Sequence, residues 1–278
     1  FFGAPIVYVS QSPYQRVVIT RSPRTTRLFL NGNLQFSSDD EYRYHEALVH
    51  PPIAALGSPP RRALVLGGGD GLAVRELLRY PELERVDLVD LDGAVTDLFS
   101  KHHLGRELNS RVSIHNTDAF RWLDESKELA YDLAIVDFPD PSNYAVGKLY
   151  TDSFYLMLRE HLSVRGVAVV QATSPGYARK TFWSIVATME EAGFKTRPYH
   201  AYVPSFGDWG FVLAGGPGLE APKKLEVPAE RLRYLDDTLL PELFHFAKDR
   251  DRVEAPINRL NDQKLVALYT SEWGEWSR

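Results

Sequence analysis

Hydrophobic residues near the start of the chain fall in short runs, which is the pattern of β-strands separated by turns. The Asn31-Gly32 pair joins two of these runs, and it suits a type I′ hairpin turn. Ser38 and Glu41 then have the spacing of a capping box, which predicts a helix that ends before the Pro51-Pro52 pair. The predicted strands cover residues 6–9, 14–20, 27–30 and 33–36.

From residue 61 onwards, apolar runs alternate with segments of helical spacing. This alternation is typical of an α/β fold with a parallel sheet covered on both faces. Ligands of such sheets bind beyond the carboxyl ends of the strands, so the residues there are the candidates for function. The predicted strands cover residues 63–66, 86–90, 112–116, 132–137, 167–171, 195–203 and 209–214, and the predicted helices include residues 152–160 and 179–192.

Proline and glycine clusters divide the chain into three predicted units. They separate an N-terminal β-unit with a linking helix, residues 1–57, from the α/β unit, residues 58–216, and from a helical extension, residues 217–278. Residues 228–249 have helical spacing, and their apolar stripe is expected to pack on the body of the protein or on another subunit. The stripe consists of Leu232, Leu235, Leu239, Leu240, Leu243 and Phe246.

The composition narrows the function classes. The chain of 278 residues has a net charge of −5, which argues against general nucleic-acid binding. It contains no cysteine, which excludes disulfides, thiolate nucleophiles and cysteine metal sites. No apolar run approaches the roughly 18 residues of a membrane span. Residue 1 is Phe rather than Met, and the segment that it begins lacks the basic start of a secretory signal, so the chain is interpreted as processed or excised.

A glycine-rich turn follows the first strand of the α/β unit. Gly67, Gly69 and Gly71 alternate there as in the nucleotide-binding fingerprint, with the third spacing shortened. Asp90 ends the next strand about twenty residues later, where an acid can accept hydrogen bonds from ribose hydroxyls. We therefore predict that this turn and Asp90 bind a nucleoside. The alternative is a glycine turn that serves only the packing of strand on helix.

Aspartates follow the ends of strands that are expected to share one edge of the sheet. The loop 137–141 is a second centre, in which two prolines stiffen the spacing between Asp137 and Asp140. This pair could act as general base and cation anchor; a divalent metal usually needs more oxygen ligands, so we predict no metal site. The simpler alternative is that both carboxylates only bind backbone groups of their own turns. The aspartates at strand ends are Asp70, Asp90, Asp118 and Asp137.

Six motifs are similar, in the same order, to those of the spermidine synthase (polyamine aminopropyltransferase) family. The resemblance as a whole spans about residues 6–215. Pro139 and the segments 148–150 and 204–211 resemble most closely a bacterial branch whose members carry this domain after membrane helices. The six motifs are Tyr14-Gln15, Asn31–Gln35, Asp40–Glu46, Gly67–Gly71, Asp118-Ala119 and Asp137–Pro141.

The resemblance implies a class I methyltransferase-like Rossmann domain, with a mostly parallel doubly wound sheet, joined to a small N-terminal β-domain. It implies transfer of the aminopropyl group of decarboxylated S-adenosylmethionine, the co-substrate, to a putrescine-like amine, giving spermidine and methylthioadenosine without a metal. The implied partners are a small amine or polyamine and further copies of the chain, as a homodimer or homotetramer. The implied location is the cytoplasm, with tethering to the cell membrane by a membrane-spanning segment before residue 1.

The resemblance also implies a role for each matched residue. One group holds the nucleoside of the donor, a second lines the path of the amine chains or holds the acceptor, and Asp137 accepts the proton. Asp70 can pair with the ammonium of the decarboxylated donor, and it would oppose the carboxylate of ordinary S-adenosylmethionine. The first group is Gln15, Gly67, Gly69, Asp70, Asp90, Asp118 and Ala119, and the second is Asp70, Tyr44, His45, Asp137 and Asp140.

The residue types also suit this chemistry on physical grounds. An alkyl ammonium has a pKa of about 10, so its nitrogen must lose a proton before it can attack. A carboxylate within hydrogen-bond reach can hold the ammonium and take that proton. Two other functions stay open, an S-adenosylmethionine-dependent methyltransferase of a small amine and a non-catalytic polyamine- or nucleoside-sensing domain. The identity of the acceptor amine stays open as well.

Overall fold

Two β-sheets form the framework of the computed structural model, which describes residues 3–100, 108–126, 130–227 and 229–276. Asn31 and Gly32 join the last two strands of the first, antiparallel sheet with φ angles of 52° and 86°, the positive values that the predicted hairpin turn requires. The strands of this sheet, in their order of pairing, are β1 (Ile6–Gln11), β2 (Arg16–Arg21), β3 (Thr26–Leu30) and β4 (Asn33–Ser37).

A seven-stranded sheet forms the centre of the α/β unit. Its strands are β5 (Arg62–Gly67), β6 (Arg85–Asp90), β7 (Val112–Asn116), β8 (Tyr131–Asp137), β9 (Leu162–Gln171), β10 (Lys195–Val203) and β11 (Gly207–Gly215). They pair in the order β10-β11-β9-β8-β5-β6-β7, with β11 antiparallel to both neighbours and all other pairs parallel. The predicted strands are therefore confirmed, and the strand order reverses direction between β5 and β8.

Helices cover both faces of this sheet. Alternate strand residues point to opposite faces of the sheet. Val65 and Ile135 therefore pack under the helices that begin at residues 41 and 72, whereas Leu64 and Val136 pack under those that begin at residues 119, 152 and 179. In the described ranges, no helix combines the length and apolar character needed to cross a membrane. The helices are α1 (Glu41–Leu56), α2 (Leu72–Leu77), α3 (Gly93–Phe99), α4 (Leu108–Arg111), α5 (Ala119–Glu125), α6 (Tyr144–Gly147), α7 (Asp152–Glu160), α8 (Arg179–Glu191), α9 (Leu239–Glu242) and α10 (Lys264–Trp276).

Helix α1 continues through the Pro51-Pro52 pair, so the predicted stop before the prolines is wrong. Gly57 follows its last residue with a left-handed φ of 70°. Because proline has no N–H, Pro51 cannot donate to the carbonyl of Ala47 one helical turn earlier. The Tyr199 hydroxyl donates to that carbonyl instead, at 2.7 Å, and both residues are buried. A tertiary contact thus replaces the helix bond that the proline removes.

Replacing Tyr199 tests this exchange of partners. We expect Tyr199→Phe to lower the free energy of unfolding by about 1–3 kcal/mol, because the buried Ala47 carbonyl loses its donor. Tyr155→Phe is the matched control, since the Tyr155 hydroxyl is buried and has no hydrogen-bond partner among the described residues, so its removal should cost less than about 0.5 kcal/mol. Urea unfolding of both variants measures the difference. Equal destabilisation of the two would show that α1 does not depend on Tyr199 for this bond.

The capping box predicted from Ser38 and Glu41 does not form. Asp40 directly precedes α1, and its carboxylate makes no bond to the helix. It accepts hydrogen bonds from the backbone nitrogen of Ser205 at 2.6 Å and from the hydroxyl of the same residue at 3.0 Å. Because Ser205 lies far away in the sequence, local spacing could not reveal this partner.

The helix predicted over residues 228–249 is wrong as well. The described part of this range contains a 3₁₀ turn at Ala229–Arg231 and the short helix α9. The buried carboxylate of Glu46 accepts the backbone N–H groups of residues 233–235 at 2.8–3.0 Å, which holds this segment out of a helix. The apolar stripe packs on the body of the protein, which was one of the two expected surfaces. Its fully buried members are Leu235, Leu240 and Leu243.

Candidate active site

The glycine turn lies where the strand order reverses, at the carboxyl ends of β5 and β8. Gly67 pairs with Asp137 at these strand ends. Gly67, Gly68 and Gly71 have φ angles of 80°, 63° and 71°, which residues with side chains rarely adopt. Gly68 N donates to the Asp137 carbonyl at 3.1 Å, and a Cβ on Gly67 would lie 2.3 Å from that oxygen. The turn therefore requires glycine, and it fixes the backbone of Asp137 beside it.

Asp90 lies against the same turn. Its Oδ2 accepts a hydrogen bond from Gly69 N at 3.0 Å, and its Oδ1 accepts one from Asp92 N at 2.8 Å. Burial raises the pKa of Asp90 to about 6, and the charges of Asp92 and Asp70 add to this rise. A Cβ on Gly69 would lie 2.6 Å from Oδ2, so only glycine lets the carboxylate reach the turn. The acid and the turn that were predicted to act together are in contact.

The N-terminal sheet reaches this region through Gln15. Its Nε2 donates to Asp92 Oδ2 at 2.9 Å, and the Ser12 hydroxyl donates to the same oxygen at 2.7 Å. The other oxygen of Asp92 caps α3 by accepting a hydrogen bond from Ala94 N at 3.0 Å. Gln15 is thus held beside the carboxyl end of β6, although it lies far from β6 in the sequence.

Asp118 and Ala119 lie at the start of α5. One Asp118 oxygen accepts the N–H groups of Phe120 and Arg121 at 2.9 and 3.2 Å. The other accepts a hydrogen bond from Lys148 Nζ at 2.6 Å. Burial works to raise the pKa of Asp118, but the bond to Lys148 outweighs it and lowers the pKa. Lys148 is a partner that the sequence linked only to the bacterial branch.

Asp137 is the centre of an acidic cluster, which consists of Asp70, Asp90, Asp137 and Asp140 together with His45. The Tyr44 hydroxyl, on α1, donates to its Oδ1 at 2.5 Å. Burial raises the pKa of Asp137 to about 6, the charge of Asp70 raises it further, and His45 opposes the rise. Asp137 is half-buried, so part of the residue stays open to solvent. Asp137 can therefore accept a proton from a bound ligand near neutral pH.

Asp70 lies within the glycine turn, between Gly69 and Gly71 and shortly before α2. Its Oδ1 accepts a hydrogen bond from Leu72 N at 3.0 Å. Its charge contributes to the raised pKa values of Asp90, Asp137 and His45. Asp70 therefore lies within electrostatic reach of both acids and of the histidine.

His45 is the basic member of the cluster. Its Nδ1 lies 2.9 Å from Glu41 Oε2, and Arg75 donates two hydrogen bonds of 2.9 Å to the oxygens of Glu41. Burial works to lower the pKa of His45, but Glu41 and Asp70 outweigh it and raise the pKa to about 8. His45 is therefore positively charged at neutral pH. From the sequence, Glu41 was expected only as part of a helix cap, and Arg75 was not among the predicted site residues.

Asp140 is held by three side chains from distant parts of the chain. Gln171 Nε2 donates to its Oδ1 at 3.3 Å, and the hydroxyls of Thr173 and Tyr269 donate to its Oδ2 at 3.1 and 3.0 Å. Thr173 has a φ of 58°, a strained value for a β-branched residue, of the kind found at functional sites. Burial raises the pKa of Asp140 to about 6 against the effect of these bonds. Of these three partners, only Gln171 lies in a segment that was predicted from the sequence, at the end of strand β9.

All predicted site residues except the Asp118-Ala119 pair are linked by hydrogen bonds, strand pairing or close charge interactions. Asp140 joins this set through Tyr44, whose pKa is raised by burial and by the charges of Asp137 and Asp140. The arrangement joins the glycine turn to two further carboxylates, those of Asp137 and Asp140. The members are Gln15, Tyr44, His45, Gly67, Gly69, Asp70, Asp90, Asp137 and Asp140.

Comparison with known sequences identifies relatives of this chain. The profile of the spermine/spermidine synthase domain matches residues 41–218. Polyamine aminopropyltransferase 2 of Ralstonia nicotianae is 49% identical over 280 residues, which cover 98% of this chain and 54% of that protein. The polyamine aminopropyltransferase of Leptospira interrogans is 48% identical over 274 residues, which cover 96% of this chain and 54% of that protein. The chain thus spans about half the length of these relatives.

Solved structures share the fold. A crystal structure of spermidine synthase in complex with the transition-state analogue AdoDATO matches with a TM-score of 0.77 and 25% identity, over 95% of this chain and 88% of that chain. Spermidine synthase from Thermotoga maritima matches with a TM-score of 0.75 and 24% identity, over the same shares. Because the domain profile covers more than half of the sequence and close relatives match it almost throughout, this chain belongs to the spermine/spermidine synthase family.

Proposed function

We propose that this domain is an aminopropyltransferase, which moves the aminopropyl group of decarboxylated S-adenosylmethionine to an amine. The observation that carries the proposal is the half-buried Asp137, whose carboxylate is held by the Tyr44 hydroxyl beside the glycine turn. Relatives at 48–49% identity are named polyamine aminopropyltransferases, which supports the same reaction.

The donor would lie across the glycine turn, with its ribose hydroxyls donating to Asp90. Gln15 and the Asp118-Ala119 pair would bound the rest of the nucleoside. Asp70, within the turn, would attract the terminal ammonium of the decarboxylated donor and repel the carboxylate of the ordinary form. This charge favours aminopropyl transfer over methyl transfer.

The transfer is an in-line displacement at the carbon beside the sulfonium. The lone pair of the acceptor nitrogen forms the new C–N bond while the C–S bond breaks, and the electron pair of that bond stays on sulfur. Asp137 takes one proton from the acceptor ammonium, which frees this lone pair for attack, and sulfur leaves as the neutral thioether of methylthioadenosine. Both reactants are cations, so the charges of Asp70 and Asp137 lower the cost of bringing them together.

The acceptor would occupy the side of the cluster formed by Tyr44 and Asp140. Phe206 lies 6.4 Å from Tyr44 and 5.3 Å from Trp209, measured between ring centres. A methylene chain can lie along such rings while carboxylates hold its ammonium ends. This favours a linear diamine such as putrescine, with spermidine as the product.

A panel of amines tests the proposal. We expect the protein to release methylthioadenosine, detected by mass spectrometry, when it is incubated with decarboxylated S-adenosylmethionine and a linear diamine. Calorimetry with both nucleosides is the control for the donor. Preferential binding of ordinary S-adenosylmethionine would favour the methyltransferase, and no methylthioadenosine with any amine would favour a sensing domain.

We also propose, from Pro139 and the segments 148–150 and 204–211, that the chain belongs to the bacterial branch with membrane helices ahead of this domain. In that arrangement the domain works on the cytoplasmic side of the membrane, as a homodimer or homotetramer. Membrane fractionation of the full-length gene product tests the tether. Analytical ultracentrifugation of the domain tests its assembly, and a monomer would contradict that part.

A further inference from the structure

Helix α10 lies beyond the range of the family profile, yet it reaches the acceptor side of the site. Its Tyr269 hydroxyl donates to Asp140 Oδ2 at 3.0 Å. Its Trp273 Nε1 donates to the Thr173 hydroxyl at 3.4 Å, and that hydroxyl donates to the same Oδ2 at 3.1 Å. One helix therefore holds one oxygen of Asp140 both directly and through a relay.

Other contacts fix α10 to the body of the protein. Its Glu272 carboxylate accepts the backbone N–H groups of Lys180 and Thr181 at 2.8 and 2.9 Å, at the first turn of α8. This turn has no side-chain cap from the residue that precedes it, so the carboxylate of α10 satisfies N–H groups that would otherwise lack a partner. Leu265 of α10 is fully buried in the core that contains α7 and α8. The Tyr269 hydroxyl is therefore held in position by the fold.

The Tyr269 hydroxyl is suited to permanent donation. Burial and the charge of Asp140 raise its pKa above the ordinary value, so the hydroxyl keeps its proton at neutral pH. The bond from Gln171 Nε2 to the other oxygen of Asp140 is long, at 3.3 Å, and the same Nε2 also donates to the Phe138 carbonyl at 2.5 Å and to the Tyr150 hydroxyl at 2.9 Å. Asp140 thus depends on α10 for its orientation.

We propose that Tyr269 is a positioning residue for the acceptor amine, because it orients the Asp140 carboxylate to hold the distal ammonium of a linear diamine. This inference rests on the proposed function. Trp273 supports the same oxygen through Thr173. The C-terminal helix is then part of the acceptor site.

Tyr269→Phe removes the direct bond and keeps the ring. We expect the KM for 1,4-diaminobutane to rise about tenfold, the effect of one lost hydrogen bond to a charged group, with kcat and the donor KM within about twofold of the original. Trp273→Phe breaks only the relay and should shift the KM in the same direction by less. Tyr202→Phe is the matched control, because the Tyr202 side chain is exposed on β10.

The pH profile separates positioning from simple structural support. The Tyr269 bond lowers the pKa of Asp140 against the effect of burial, so its loss raises that pKa. In Tyr269→Phe, the acid limb of kcat/KM for the diamine should move to higher pH. A loosened structure alone would lower the rate at all pH values without moving the limb.

Three results would overturn the inference. They are an acceptor KM in Tyr269→Phe equal to that in Tyr202→Phe, equal losses of donor and acceptor affinity, and an unmoved acid limb. If Tyr269→Phe does not fold, an unchanged acceptor KM in Trp273→Phe counts against it. If the unaltered protein forms no methylthioadenosine, the proposed function fails separately. In that case, calorimetry measures the binding of 1,4-diaminobutane to the unaltered protein and to Tyr269→Phe, each saturated with methylthioadenosine. Equal binding by these two proteins would overturn the role of Tyr269.

Discussion

Asp137→Asn should lower the rate of aminopropyl transfer by about 10²–10⁴-fold, the usual contribution of a general base, and leave binding of methylthioadenosine within about threefold. The amide of asparagine cannot take the proton of the attacking amine. It keeps an oxygen that can accept the 2.5 Å bond from Tyr44, so the surrounding structure should hold. The nucleoside contacts proposed for Asp90 and the glycine turn do not use this side chain.

Single-turnover kinetics with saturating donor and diamine measure the loss, and calorimetry measures the nucleoside. Asp124→Asn is the matched control, because it makes the same chemical change at an exposed position of α5. Turnover in Asp137→Asn at the rate of Asp124→Asn would remove Asp137 from the role of proton acceptor.

The raised pKa of Asp137 also predicts the pH dependence of the reaction. The proton acceptor must be ionised, so kcat/KM should fall below a pH of about 6. Asp90 and Asp140 have pKa values raised to about 6 as well, so the limb reports the coupled cluster rather than one residue. A bound cationic donor favours the ionised carboxylates, so the limb of kcat should lie at lower pH than that of kcat/KM.

The same raised pKa has a cost for stability. The folded state binds the proton of Asp137 more tightly than the unfolded state, in which the ordinary value is 3.8. Stability is therefore lost as the pH rises from about 4 to about 6, and the loss is complete above that window. Asp137→Asn should melt at a higher temperature than the unaltered protein at pH 7.5, with the difference vanishing near pH 4. A constant difference at all pH values would contradict this origin.

Gly67→Ala should be the most disruptive change at the turn. We expect it to lower the free energy of unfolding by about 3 kcal/mol and to abolish transfer. Gly67 has a φ of 80°, which alanine adopts only with strain. The new Cβ would lie 2.3 Å from the Asp137 carbonyl and 2.9 Å from a ring carbon of Phe138. The end of strand β8 and the loop 137–141 would therefore both have to move.

Gly216→Ala is the matched control, since a Cβ there would meet no atom within 4 Å and the residue has no positive φ. Denaturant unfolding and the methylthioadenosine assay measure both variants. If Gly67→Ala unfolds at the same denaturant concentration as Gly216→Ala, the close approach of the turn to Asp137 does not exist in solution.

Local patterns were sufficient for the strands and for several side chains of the site. Strand β8 and the loop after it could be predicted because an apolar run ends in Asp137. The glycine turn could be predicted because glycine readily adopts the positive φ angles that the turn has. Predictions failed where a distant partner satisfied the backbone. Tyr199 replaces the donor that Pro51 lacks, so α1 continues, and Glu46 holds residues 233–235 out of a helix.

The order of strands and helices, the glycine turn and the acids at strand ends were determined by the sequence itself, because each depends on the periodicity or the backbone freedom of neighbouring residues. The tertiary structure alone decided which side chains surround those acids. Arg75 and Glu41 give His45 its charge, and Tyr269 holds Asp140 from the far end of the chain. Such contacts form when segments that are distant in the sequence pack together. A pattern of residues along the chain does not indicate which distant segments will lie close in space.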